Sequence, residues 1–116
     1  MATILDKRDT YFVDLDGCIT LHHSRTEDYS DVDEFLPGSV EKLLLLKSIG
    51  CVIILTTGRS EEQAQPALKQ LKELGFEYDH CIFGLPTGTR YLVNDYKYDG
   101  VDKAIAINLK RNGGWK

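Results

Sequence analysis

The residues best suited to chemistry begin in the stretch "YFVDLDGCIT", residues 11–20. An apolar run, Tyr11-Phe12-Val13, ends in Asp14 and Asp16, with Gly17 just behind. Alternate residues of an extended chain point the same way, so the two carboxylates are expected side by side. Like charges that close repel unless a cation lies between them. Two more apolar runs end in polar groups: "VIILTTGR" in Thr56, Thr57, Gly58 and Arg59, and "YLVND" in Asn94 and Asp95. Together the three ends suit phosphoryl transfer. One carboxylate can accept a phosphoryl group as an aspartyl-phosphate. Another, two residues on, can protonate the leaving oxygen and later deprotonate water. Mg²⁺ takes oxygen ligands, usually one or two carboxylates plus substrate phosphate, and would relieve repulsion between Asp14 and Asp95. Hydroxyls and backbone N–H groups at a helix N-terminus can hold phosphate oxygens.

Such ends meet only if the elements behind them are parallel strands, because sites in open parallel sheets form outside the carboxyl ends of the strands. The pattern predicts this. Residues 10–15 read as a buried strand, and residues 17–35 as a loop or small hairpin over its end. "PGSVEKLLLLKSIG", residues 37–50, reads as a helix with a core stripe of Val40, Leu43, Leu44 and Ile49, stopped by Gly50. "CVIILTT", residues 51–57, is a continuous apolar run of the kind found in central parallel strands. Residues 60–75 read as a second helix. Ser60 and Gln63 have capping-box spacing, Ala64, Ala67, Leu68, Leu71 and Leu74 follow helical periodicity, and Gly75 ends it. "HCIF" (80–83), "RYLVND" (90–95) and "KAIAIN" (103–108) read as three further strands. Alternation of strand and helix argues for a parallel sheet with packed helices. Only "GLPTGTR" joins the third and fourth expected strands, shorter than adjacent parallel strands normally need. That length permits a direct crossing to the far side of the first strand.

"DLDGCIT", "VIILTTGR" and "YLVNDYK", in this order, resemble the signature motifs of the haloacid dehalogenase (HAD) superfamily of phosphohydrolases, over about residues 10–109. The resemblance implies a HAD-like Rossmannoid three-layer sandwich around a parallel sheet of order 5-4-1-2-3. It implies Asp14 as nucleophile and Mg²⁺ ligand, and Asp16 as general acid/base lending its backbone carbonyl to the metal. Thr57 best matches the phosphate-binding position, with Thr56 the alternative and Gly58 beside them. Asp95 would be the second carboxylate ligand, with Asn94 adjacent. The family expects a lysine or arginine to balance the phosphoryl charge; Arg90 is the first candidate and Arg59 the second. The 39 residues between Asp16 and Thr56 leave room for a flap, about 17–35, but not for a cap domain.

A capless site is open. The resemblance therefore implies a small phosphorylated sugar or related metabolite as substrate, with a homo-oligomer supplying the missing lid, or else a macromolecular substrate. A non-catalytic binding or regulatory domain on the same fold is the alternative from another class. His22 and His23 point apart if extended and read as loop residues at the rim of the site.

At 116 residues the chain fits one domain, 1–116. The net charge of −4 disfavours a nucleic-acid partner, whose phosphates are held by Lys and Arg. The one basic stretch, "NLKRNGGWK", reads as a solvated tail. No run is long and apolar enough for a membrane span, and no signal-peptide pattern opens the chain. Three cysteines, Cys18, Cys51 and Cys81, in or beside apolar stretches suggest reduced thiols and a cytoplasmic setting.

Overall fold

The computed structural model of the chain describes residues 8–21, 33–96 and 102–115. Over these it is an α/β domain with the element order β1 (Thr10–Asp14), α1 (Ser39–Ser48), β2 (Val52–Thr56), α2 (Glu61–Glu73) and β3 (His80–Ile82). The three strands form one parallel sheet in the order β1-β2-β3. Tyr11 pairs with Ile53, Val13 with Leu55 and Asp14 with Thr56; Leu55 and Thr56 pair in turn with Cys81 and Ile82. Among the described residues no helix is long and apolar enough to cross a membrane.

The alternation of side chains along the strands decides what is covered. Val13, Ile53 and Leu55 are buried on one face, where they join Leu43 and Leu46 of α1 and Ala64, Ala67, Leu68 and Leu71 of α2 in a single core. Burial of each large aliphatic side chain contributes roughly 1.5–3 kcal/mol. Both βαβ crossovers run in the same direction, so with the usual right hand they place both helices on that face. The other face carries Phe12, 53 % exposed, and Ile82, 42 % exposed. Covering it would take a third layer, which the described residues do not provide.

The helix ends follow local chemistry. Ser60 caps α2 by accepting from the Gln63 N–H, while the Gln63 side chain accepts from the Ser60 N–H: the expected capping box. Past the helix ends, Gly50 and Gly75 take φ of +94° and +93°, a conformation open to glycine at little cost. Of the stripe expected on α1, Leu43 is buried and Val40 and Leu44 are half-buried, but Ile49 is 67 % exposed, and buried Leu46 replaces it. Ile49 has left the helix as its C-cap residue, so the periodicity no longer applies to it. Leu74 is exposed for the same reason.

The flap region begins and ends as an antiparallel pair. The Leu21 N–H donates to the Glu34 carbonyl, and that of Leu36 to the Ile19 carbonyl, both at 2.8 Å. His22 and His23 lie outside the described residues.

The fourth and fifth expected strands are absent from the described sheet. Residues 90–95 and 103–108 make no strand, and Tyr91, Leu92, Val93, Ile105 and Ile107 are exposed. A side-chain bond from Asn94 Nδ2 to the Lys103 carbonyl at 3.2 Å links the two segments. Their β-rich composition favours an extended chain, but a strand also needs a partner's edge.

The C-terminal stretch is not a free tail. Trp115 is buried, its ring centroid 5.9 Å from that of Tyr11, with the Lys42 ammonium 5.6 Å from the Trp115 ring. The Asn112 N–H donates to the Gly17 carbonyl at 2.9 Å, which ties this segment to the turn behind Asp16.

Candidate active site

Parallel pairing brings the ends of β1 and β2 level, so Asp14 and Thr56 are cross-strand neighbours at the carboxyl edge of the sheet. Arg90 spans them: its Nη1 donates to Asp14 Oδ1 at 3.1 Å and to Thr56 Oγ1 at 3.4 Å. The Arg90 and Asp14 side chains are 44 % and 48 % exposed, so the pair faces solvent. The strand end and the cation therefore meet where a substrate can reach them.

Beyond β1 the chain turns sharply at Gly17, φ +82°. The Leu15 carbonyl accepts from the N–H groups of Cys18, Ile19 and Thr20. This turn holds Asp16 inward, its side chain 17 % exposed. Asp16 Oδ1 accepts from Arg59 Nη2 at 2.7 Å and from Nε at 3.0 Å, and Oδ2 accepts from the Thr57 hydroxyl at 3.3 Å. Arg59 also donates from Nη2 to Asp33 Oδ1 at 2.7 Å and from Nη1 to Oδ2 at 3.4 Å. Arg59 and Asp33 are both buried. Burial alone would lower the Arg59 pKa, but the hydrogen bonds and charges of Asp33 and Asp16 outweigh it and hold the guanidinium above its ordinary value.

The turn between β2 and α2 has mostly spent its own donors. The Thr57 N–H donates to the Ile82 carbonyl, that of Arg59 to the Thr57 hydroxyl, and that of Ser60 to the Gln63 side chain. Among the described residues, Gly58 is the one position of this turn whose N–H has no such partner, and Gly58 is exposed. A Cβ there would sit 3.2 Å from the Leu85 carbonyl oxygen, a tight fit for a side chain. The Thr57 hydroxyl is held by Asp16 and the Arg59 N–H, whereas that of Thr56 lies beside Arg90.

Asp14, Asp16, Thr56, Thr57, Gly58, Arg59 and Arg90 thus form one constellation, and the two candidate cations each engage one of the two aspartates. Asp95 and Asn94 lie in the exposed segment 90–96. Among the described residues no group of three or more Asp, Glu, His or Cys side chains is placed to hold a metal ion. The set the resemblance implies is smaller: two carboxylates, Asp14 and Asp95, with the Asp16 backbone carbonyl. Asp14 is paired with Arg90 rather than with a second carboxylate.

Asp33 is the residue that sequence reasoning missed. It lies in the acidic run "TEDYSDVDE", which reads as solvated, and its burial depends on an arginine 26 positions away. Burial and the Asp14 charge push the thiol of Cys18, near the site, up to about 11, which disfavours the thiolate. An open groove of about 910 Å³ lies on the outer side of α2, lined by residues such as Pro66, Lys69, Phe76 and Tyr78 and by none of the candidate residues.

Set against protein-family models, curated proteins and solved structures, the chain matches none of them.

Proposed function

We propose that the protein is a phosphomonoester hydrolase of the haloacid dehalogenase type, acting through an aspartyl-phosphate on Asp14. The observation behind this reading is the Asp14–Thr56 strand-end pair spanned by Arg90, with Asp16 fixed two residues on. In the first step an Asp14 carboxylate oxygen attacks phosphorus and the bond to the leaving oxygen breaks, with Asp16 delivering a proton to that oxygen. In the second step water attacks phosphorus, Asp16 takes its proton, and the bond to Asp14 breaks to release phosphate. Arg90, half exposed beside Asp14, the Thr56 hydroxyl next to it and the N–H of exposed Gly58 are the groups suited to the phosphoryl oxygens. Thr57 serves instead by holding Asp16.

The same reading includes a fuller sheet, order 5-4-1-2-3, with residues 90–95 docked on the open edge of β1 and residues 103–108 beyond them. The exposed Tyr91, Leu92 and Val93, and β1 paired on one side only among the described residues, support it. That docking would bring Asp95 toward Asp14 and, because five strand residues span about 17 Å, would carry Arg90 away from it. The fuller sheet is therefore an alternative to the Arg90–Asp14 pair. Mg²⁺, which belongs to the proposal on this condition alone, would take over from Arg90 the charge on Asp14. A small phosphorylated sugar or related metabolite is the proposed substrate, and a cytoplasmic homo-oligomer the proposed setting.

A second reading, a binding domain without turnover, is favoured by the direct Arg90–Asp14 ion pair, which occupies the nucleophile. The experiment that separates the two is phosphate release from a panel of phosphorylated sugars and an aryl phosphate, with and without Mg²⁺, for wild type and Asp14→Asn. Turnover lost in Asp14→Asn supports the hydrolase. Turnover that survives removes Asp14 as nucleophile, and a folded wild type inert on every member favours the binding domain.

A further inference from the structure

We propose that Asp33 is a positioning residue for Asp16, acting through Arg59. The guanidinium is a rigid planar fork, so fixing one of its edges aims the other. Asp33 takes the Nη1–Nη2 edge, at 3.4 and 2.7 Å. The Nε–Nη2 edge is thereby turned to Asp16, with bonds of 3.0 Å and 2.7 Å to Oδ1. Nη2 also reaches the Thr20 hydroxyl at 3.5 Å, and Nη1 the Gln63 carbonyl at 3.4 Å.

Asp33 is itself fixed from outside the site. Its N–H donates to Gln70 Oε1 at 2.9 Å, and Gln70 Nε2 donates to its carbonyl at 3.5 Å. A side chain in the last turn of α2 therefore clamps the main chain of Asp33, Asp33 clamps Arg59, and Arg59 clamps Asp16. An ion pair whose only task was to close the loop would not need its cation shared with the residue that moves the proton. The effect on turnover rests on the hydrolase reading, whereas the geometric coupling does not.

The test has two readouts. The first is the Arg59 Nε–H signal in a proton–nitrogen correlation spectrum, identified by its loss in Arg59→Lys. The second is the split between kcat and KM. In Asp33→Asn the signal should shift or exchange away, and kcat should fall about 10- to 100-fold with KM within about 2-fold, the scale expected when a reacting group is misplaced by about an ångström. Gln70→Ala, on the half-exposed side of α2, should give the same changes at smaller size, and it replaces Asp33→Asn if that variant does not fold. An unchanged Nε–H signal with unchanged kcat overturns the proposal, as does a rise in KM at constant kcat. If wild type turns over no substrate, the signal alone decides: a shift upholds the coupling while the hydrolase reading fails, and no shift overturns the coupling.

Discussion

Arg90 reaches across 76 positions of sequence to place its Nη1 3.1 Å from Asp14 Oδ1. The pair is about half exposed, so it adds little to folding, within about 1 kcal/mol. On the proposed hydrolase reading, its value lies in charge at Asp14.

Arg90→Ala is therefore expected to leave the urea midpoint nearly unchanged while lowering kcat/KM about 10²- to 10³-fold, the usual cost of losing one donor to the transition-state charge. Arg90→Lys should recover part of it. Steady-state kinetics beside equilibrium unfolding checks both halves. A large loss of stability would show that Arg90 is a structural residue.

Asp79 shows electrostatics at work in the fold itself. Its carboxylate accepts from the Ile53 N–H at 2.7 Å and pairs with Lys47 at 3.0 Å, fixing the start of β3 against β2. The Ile53 hydrogen bond, then Lys47, hold its pKa below the ordinary 3.8 despite some desolvation. A carboxylate with a depressed folded-state pKa contributes stability above its unfolded value and loses it as pH falls through the folded one. Asp79→Asn should thus cost about 1–2 kcal/mol at pH 7, allowing for a side chain one third exposed. The gap to wild type should close as the pH is taken below about 4. Urea titrations across that range would show it, and a gap that stays constant would contradict the assignment.

At the other end of the chain, Gly114 has φ +85°, and a Cβ there would run into the Pro37 carbonyl. Gly114→Ala should therefore dislodge Trp115. Its cost should approach that of Trp115→Ala, about 3–5 kcal/mol for an aromatic ring lost from a core. Tryptophan fluorescence would report the event directly, since the chain has one tryptophan: the emission maximum should move to the red in Gly114→Ala under native conditions. An unmoved maximum would mean that the backbone yields instead.

A metal held by Asp95 requires the fuller sheet. Mg²⁺ at a hundred times its dissociation constant would stabilise the folded chain by about 2.7 kcal/mol if it binds that state alone. The melting temperature is expected to rise with Mg²⁺ in wild type and not in Asp95→Asn. A rise of equal size in both would place the ion away from Asp95, and none in either would remove Mg²⁺ from the proposal.

The elements legible in the sequence are those whose evidence is local. Thr10–Asp14, Val52–Thr56 and His80–Ile82 fall within the strands expected at 10–15, 51–57 and 80–83, and Ser39–Ser48 and Glu61–Glu73 within the expected helices. Apolar period, cap residues and terminal glycines each mark these segments without reference to the rest of the chain. Residues 90–95 and 103–108 are as β-rich, yet a strand there depends on β1 offering its edge, which no local pattern encodes. The site divides in the same way. That Asp14 and Asp16 meet the end of the second strand is legible because strand ends converge. Which threonine lies beside Asp14 is not: Thr57 is the better match to the motif, and strand register puts Thr56 there. Asp33 was hidden in a run of acids, since its burial is decided by Arg59 arriving from another element.

If the protein is the hydrolase proposed, that buried cluster sets survival and turnover against each other. Water is nearly excluded from Arg59 and Asp33, with side chains 1 % and 2 % exposed, and apolar packing of equal volume commonly stabilises a fold more than buried ions do. A library randomised at positions 16, 33 and 59 and screened for heat resistance alone should therefore fill with aliphatic side chains, giving hardier proteins that have forgotten their chemistry.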